Sequence, residues 1–213
     1  SAGGLMQRDY WYAAKRKVKD LAAPEAGGRA AAQRALRRLG GRKISTCEVP
    51  VIFDPETAAE LIGSISACVS GYAVYKGASF LAGKLGQSVA ASSVTVLDHG
   101  LIPSALGSRP FDGEGLATRK TTVIAKGILE SYLLDTYSAR KLGLKSTGNA
   151  VRSVGDVPSV SHTNFYLVPG THSPEEIIRS VKRGLYVTEM IGFGVNHVTG
   201  DYSRGAVGLW IEN

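Results

Sequence analysis

The sequence predicts an α+β fold: a mixed, largely antiparallel sheet or barrel-like core carrying several short helices. Three observations lead there. Short β-type segments are separated by Gly- and Pro-rich turns, the helical stretches are brief and marked by capping residues, and no βαβ rhythm links them. The chain has 213 residues, enough for one large domain or two small ones. At that length about 70% of the unfolded surface can be buried, so a core needs no staples. With 44% hydrophobic and 20% charged residues, general disorder is excluded.

The first segment, Gln7–Ala14, clusters Tyr10, Trp11 and Tyr12 and reads as a strand. Pro24–Gly28 is a break, after which Arg29–Leu39 reads as a helix ended by Gly40-Gly41. Its apolar stripe is Ala32, Leu36 and Leu39, with arginines opposite. Lys43–Phe53 alternates in the β manner, and Pro50 within it marks an edge or a bulge. Asp54-Pro55-Glu56 starts a helix: a capping carboxylate, proline at the first helical position and an acid in the first turn. Ala58, Leu61, Ile62, Ile65, Cys68 and Val69 then recur at three and four, which predicts a buried face. A second helical piece is expected through Phe80 and Leu81 to Gly86.

Beyond Gly86 the pattern turns to strands. Ser93–Leu97 is a short strand and Asp98–Leu116 a Gly/Pro/Ser loop. Arg119–Ala125 and Ile128–Leu134 flank Lys126-Gly127, a two-residue hairpin turn. Asp135 caps a helix ending at Gly143, and Leu144–Ser161 is irregular. Asn164–Val168 is a strand. Ser173-Pro-Glu-Glu176 is a capping box opening a helix expected to stop at Gly184. Leu185–Met190, a turn through Gly192 and Gly194, and Ala206–Ile211 complete the series.

The net charge of +7 falls wholly in the first fifty residues, where eleven Lys/Arg meet four acids. Such a segment fits nucleic acid or an acidic partner, or else a solvated helix face neutralised from outside this chain. No apolar run approaches the roughly 20 residues of a membrane helix, and no charged-then-apolar leader is visible. With only Cys47 and Cys68, neither a disulfide scaffold nor a thiolate zinc site is expected, so the expected setting is the cytoplasm, without membrane contact.

Catalytic patterns are missing from the residues themselves. His99, His162, His172 and His197 are never within five residues of one another, whereas a helical zinc pair needs one-turn spacing. A site from His162, His172, His197 and Cys68 has no spacing to support it. Cys68 sits on its helix's apolar stripe, which predicts a buried thiol rather than a nucleophile. There is no Gly-x-Ser-x-Gly elbow and no phosphate-binding Gly-x-x-x-x-Gly-Lys-Ser/Thr loop.

Nine blocks in order resemble the TldD/PmbA family, in which PmbA is also called TldE. They are residues 7–12 (Gln-Arg-Asp-Tyr-Trp-Tyr), 39–44 (Leu-Gly-Gly-Arg-Lys-Ile), 50–54 (Pro-Val-Ile-Phe-Asp), 77–81 (Gly-Ala-Ser-Phe-Leu), 110–115 (Pro-Phe-Asp-Gly-Glu-Gly), 146–149 (Ser-Thr-Gly-Asn), 173–178 (Ser-Pro-Glu-Glu-Ile-Ile), 184–189 (Gly-Leu-Tyr-Val-Thr-Glu) and 198–201 (Val-Thr-Gly-Asp). The family is linked to peptide proteolysis and is named a modulator of DNA gyrase. The resemblance implies the C-terminal part of a longer protein. Residues 1–42 then form a strand, a linker and a basic helix leading in from a preceding domain, and residues 43–213 form the TldD/PmbA C-terminal domain, whose family pattern continues past Asn213.

In the TldD branch a helical His-Glu-x-x-x-His supplies zinc ligands and a catalytic glutamate. Counting back from Gly77, Phe80, Gly83 and Gly86, those positions fall on Ile62, Gly63 and Ala67. The resemblance therefore implies the PmbA/TldE branch, a subunit with no catalytic residue and no metal or cofactor of its own. Zinc is expected in a TldD-type partner, and unfolded peptides are the expected substrates. A homodimer is the other assembly expected, and a nucleic-acid- or gyrase-associated module using the basic segment is the alternative function. Candidate substrate-chamber residues are Asn149, Asn196 and Asp201, polar members of glycine-containing turns that equally suit turn capping.

Overall fold

The structure, a computed structural model, describes residues 6–212. In chain order its elements begin with helix α1 (Pro24–Arg37), strand β1 (Val51–Phe53), and helices α2 (Pro55–Cys68) and α3 (Gly71–Tyr75). Strands β2 (Val96–His99), β3 (Lys120–Ala125) and β4 (Ile128–Leu129) follow, then helix α4 (Thr136–Leu142). Strands β5 (Ala150–Val151), β6 (Ser159–Val160) and β7 (Phe165–Leu167) precede helix α5 (Pro174–Arg179) and the long strands β8 (Arg183–Ile191) and β9 (Gly205–Glu212). This is the α+β fold the sequence predicts, with one parallel pair among antiparallel ones.

The chain divides into two compact units. One gathers the described residues up to Thr57 with 172–191 and 205–212. Its sheet has the order β1-β8-β9: β8 and β9 are antiparallel with a register shift between Val187 and Glu189, and β1 runs parallel to β8, Val51 opposite Leu185. Only Val51–Phe53 of the expected 43–53 strand finds a partner, because pairing begins at the Pro50 carbonyl, which accepts from Leu185 N at 3.0 Å. Residues 7–14 have no regular secondary structure and join no sheet, so aromatic composition there does not make a strand.

Helix α1 starts five residues before the expected Arg29, with Pro24 in its first turn, the position that suits proline. Its apolar stripe is not what it buries. Leu36 is 58% exposed while Arg34 is 8% exposed, so an arginine is the inward residue. Helix α5 carries the expected capping box, Ser173 Oγ accepting from Glu176 N at 3.2 Å and Glu176 Oε2 from Ser173 N at 2.7 Å. It ends at Arg179, and Gly184 instead lies in β8, where a Cβ would come within 2.7 Å of the Pro50 carbonyl oxygen.

The second unit holds residues 58–171 and 192–204. Its sheet has the order β4-β3-β2-β7, all antiparallel, with a separate β5-β6 hairpin inside the stretch expected to be irregular. The β3-β4 turn is Lys126-Gly127 as expected, both at positive φ, 48° and 84°. Asp135 caps α4 through Ser138 N at 2.7 Å, and Gly143 closes it in the left-handed region. The core joins Cys68, Val69, Val74 and Leu81 to Val96, Val123, Leu129, Leu133 and Leu134. Of the predicted α2 stripe only Cys68 and Val69 are fully buried, and Leu61, Ile62 and Ile65 are half-buried. The helical piece expected through Phe80 is shorter and earlier: α3 ends at Tyr75, and turns lead on to Gly86.

Candidate functional site

Helix α2 is set by local chemistry at its start. Asp54 Oδ1 accepts from Glu56 N at 3.0 Å, and Pro55 follows it. Ile62, Gly63 and Ala67 lie on this helix. None offers a nitrogen, oxygen or sulfur in its side chain, so these positions do not fit a metal ion. Among the described residues, no three His, Cys, Asp or Glu side chains lie close enough to hold one.

The C-terminal half of α2 borders a cleft of about 280 Å³ lined by Ser66, Ala67, Ser70, Tyr72, Ala73, Leu133, Val160, Ser161 and His162. Here Ser66 Oγ lies 3.3 Å from His162 Nδ1. The pair resembles a nucleophile and base, but the hydrogen runs the wrong way. Ser66 Oγ donates to the Gly63 carbonyl at 2.8 Å, which leaves it to accept from the imidazole. The ring of His162 is flanked by Phe165, at 5.9 Å between centroids, rather than by an orienting carboxylate among the described residues. Tyr72, on the rim, meets Tyr75 edge-on at 5.4 Å, and Lys76 Nζ sits 5.5 Å from its ring centroid.

A second cleft, about 630 Å³, is lined by Ala78, Phe193, Gly194, Val195, Asn196, His197, Val198, Asp201 and Ser203. Two of the three candidate chamber residues meet here. Asn196 Oδ1 accepts from Val198 N at 3.0 Å and Thr199 N at 3.3 Å, while Asp201 Oδ2 accepts from Thr199 Oγ1 at 2.6 Å. They close the turn and line the cleft at once, and Phe193 beside them is fully exposed.

Asn149 lies elsewhere, 1% exposed. Its Nδ2 donates to Asp98 Oδ2 at 2.6 Å and to the Ser161 carbonyl at 3.2 Å, and its Oδ1 accepts from Thr147 Oγ1 at 2.7 Å. Three of the four hydrogen bonds the amide can make are made inside the protein, so the residue ties loops together. Its neighbour Asp112 does the same work, accepting from Glu114, Leu116 and Ala150 N–H groups at 2.9 to 3.0 Å.

The cysteines divide by environment. Cys68 is buried and burial pushes its thiol up to about 11, whereas Cys47 is exposed. The basic segment is partly neutralised from within the chain: Arg34 meets Asp9, Asp54 and Glu56 at 3.1 to 3.7 Å, and Arg38 meets Asp9 and Glu189. Counter-charges for these two cations are therefore in this chain, not outside it.

Residues 46–213 match the PmbA/TldA metallopeptidase C-terminal domain. The chain belongs to this family. Metalloprotease PmbA of Escherichia coli O157:H7 is 42% identical over 210 residues, covering 99% of this chain and 45% of that protein. A protein of Bacteroides thetaiotaomicron named as a candidate modulator of DNA gyrase superposes with a TM-score of 0.88 at 30% identity, over 100% of this chain and 46% of that one. TldE from Thermococcus kodakarensis superposes with a TM-score of 0.70 at 29% identity, over 79% and 39%. The chain thus spans a little under half the length of its PmbA relatives. No helix among its described residues is long and apolar enough to cross a membrane.

Sequence reasoning missed the Ser66–His162 cleft. The two residues stand 96 positions apart, so no spacing announces them.

Proposed function

We propose that this chain is part of a companion subunit, without zinc of its own, of a TldD/TldE-type metalloprotease that degrades or processes unfolded peptides. The observation that carries this reading is a family helix that is intact but chemically empty: α2 is capped and packed, yet Ile62, Gly63 and Ala67 have no ligating or proton-moving group. The zinc and the catalytic glutamate then belong to a TldD-type partner, and this chain helps to enclose and hold the peptide. The second cleft, with Asn196 and Asp201 on its turn, is the candidate wall of that chamber.

Cleavage of an unfolded peptide by the zinc partner alone, by this protein alone and by both together tests it. Activity only in the mixture, with zinc bound in proportion to the partner, is expected. Full activity of the zinc partner without this chain would sink the reading. Ion pairing of Arg34 and Arg38 inside the chain takes two of the eleven cations of the basic segment out of the charge that a nucleic-acid role would use.

A further inference from the structure

Three tyrosines form a continuous row in the second unit. Tyr72 meets Tyr75 edge-on at 5.4 Å, and Tyr75 meets Tyr137 edge-on at 5.8 Å, which joins α3 to α4. Cations stand over these rings. Lys76 Nζ lies 5.5 Å from the Tyr72 centroid and 5.7 Å from that of Tyr75, while Lys141 Nζ and the Arg140 guanidinium carbon lie 5.5 and 6.0 Å from that of Tyr137. Tyr72, Tyr137 and all three cations are exposed. Among the described residues none of the three cations makes an ion pair. The two carboxylates at the start of α4 are taken: Asp135 Oδ1 accepts from Ser138 N at 2.7 Å, and Glu114 Oε2 from Thr136 N at 2.8 Å. Arg140 and Lys141, in the last turn of α4, suit the helix dipole, but the dipole does not require both to cover one ring.

We propose that this row is a docking surface for acidic segments of unfolded peptides, whose Asp and Glu carboxylates meet Lys76, Arg140 and Lys141. Charge complementarity argues for an anionic partner, since the cations are unpaired and are held in place by the rings beneath them. Ring geometry argues for carboxylates on a polypeptide rather than for a nucleic acid strand. A single strand needs a succession of open aromatic faces on which its bases stack. Here neighbouring ring planes cross at 80° and 75°, and each ring has a cation over it. With the faces so engaged, a partner meets ammonium and guanidinium groups, ring edges and tyrosine hydroxyls. Ring edges carry positive potential and hydroxyls donate, so both add to the attraction for carboxylate oxygens.

This surface deepens the companion-subunit reading, on which it rests, by naming acidic sequence as the class of peptide the chain holds. The test is titration of the isotope-labelled protein with a capped, unstructured peptide carrying four glutamates, with its twin carrying four glutamines, and with a single-stranded oligothymidylate. The glutamate peptide is expected to shift the amide signals of Tyr72, Tyr75, Lys76, Tyr137, Arg140 and Lys141, and the glutamine twin to bind about tenfold more weakly. Lys76→Gln, Arg140→Gln and Lys141→Gln together, all exposed changes, should weaken the glutamate peptide by a similar factor and keep the urea midpoint. Arg179→Gln, an exposed change on α5, should leave binding unaltered. Equal binding of the two peptides, a loss on Arg179→Gln as large as in the triple variant, or tighter binding of the oligonucleotide at the tyrosine row would overturn the proposal. No hydrolysis is read in this assay. Cleavage that needs both chains, without peptide binding at this row, removes the surface and leaves the subunit reading. Binding at this row with full cleavage by the zinc partner alone removes the subunit reading.

Discussion

Asp9 Oδ1 lies 3.2 Å from Arg34 Nε, and the two side chains are only 5% and 8% exposed. The irregular segment around Tyr10 and Trp11 is thereby fastened to α1 without any strand pairing, Arg34 also lying 5.8 Å from the Trp11 ring. Removing Asp9 leaves Arg34, still covered from water, to Asp54 and Glu56 alone, and Arg38 to Glu189.

Replacing Asp9 by alanine is therefore expected to destabilise the protein by about 2 kcal/mol, since Arg34 and Arg38 each lose one charged hydrogen-bond partner and keep the others. Arg204→Ala is the contrast. Its partner Glu60 is 53% exposed, and the loss should be about 0.5 kcal/mol. Urea midpoints of the two variants rank them, and equal midpoints would show that the Asp9 pair is solvated in solution.

Burial alone pushes the Asp9 carboxyl up. The Tyr10 N–H, the Arg34 hydrogen bond and the charges of Arg34 and Arg38 outweigh it and hold the carboxyl below its ordinary value of 3.8. A carboxyl lowered in the folded state stabilises fully above the unfolded value. That contribution is lost as pH falls below about 4, through the folded value. Thermal midpoints of the wild type and Asp9→Asn should differ at neutral pH and converge in acid. A gap that stays constant into acid would show that Asp9 is not the titrating group.

What the sequence made legible was local. Asp54-Pro55, Asp135 and Ser173 announce helix starts because a cap and its helix are within three residues of each other, and Lys126-Gly127 announces its turn because both residues sit at positive φ. What failed was long-range. β1 is a strand only because β8, more than a hundred residues on, offers an edge to Val51–Phe53, while the more β-like 7–14 has none. In α1 the pattern pointed Leu36 inward, but three carboxylates from Asp9, Asp54 and Glu56 draw in Arg34. At the candidate site, glycine-containing turns marked Asn149 and Asn196 alike. Only the fold separates the buried one from the cleft-lining one.

The two thiols should report their surroundings. At mildly alkaline pH an alkylating reagent is expected to modify Cys47 fast and Cys68 only after unfolding, because the reactive thiolate of Cys68 is suppressed by burial. Mass spectrometry of the native protein then finds one label per chain. Two labels at equal rates would mean that the end of α2 opens.

Gly71 carries no unusual φ, yet it tolerates no side chain. A Cβ there would stand 2.7 Å from Ser138 Cβ and 2.5 Å from Leu134 Cδ2, while Gly71 N donates to the Leu133 carbonyl at 2.7 Å. Leu134 and Ser138 are buried, so neither can swing away. Gly71→Ala should cost about 2 kcal/mol through overpacking, lowering the thermal midpoint despite alanine's better helix propensity.

The Asn149–Asp98 bond lies buried in the second unit. Asp98 is 1% exposed and accepts from Thr163 N at 2.7 Å and Asn149 Nδ2 at 2.6 Å. Asn149→Ala removes one of those donors and leaves Thr147 Oγ1 to its bonds with Leu134 alone, for an expected loss of about 2 kcal/mol. Asn149→Asp should be at least as harmful, because it replaces the donor with a second carboxylate beside the first. If Asn149 instead served a peptide substrate, the alanine variant would keep its urea midpoint and lose only partner-dependent cleavage. A lowered midpoint, with the cleavage that remains tracking the folded fraction, assigns Asn149 to the scaffold and leaves Asn196 and Asp201 as the chamber residues to mutate.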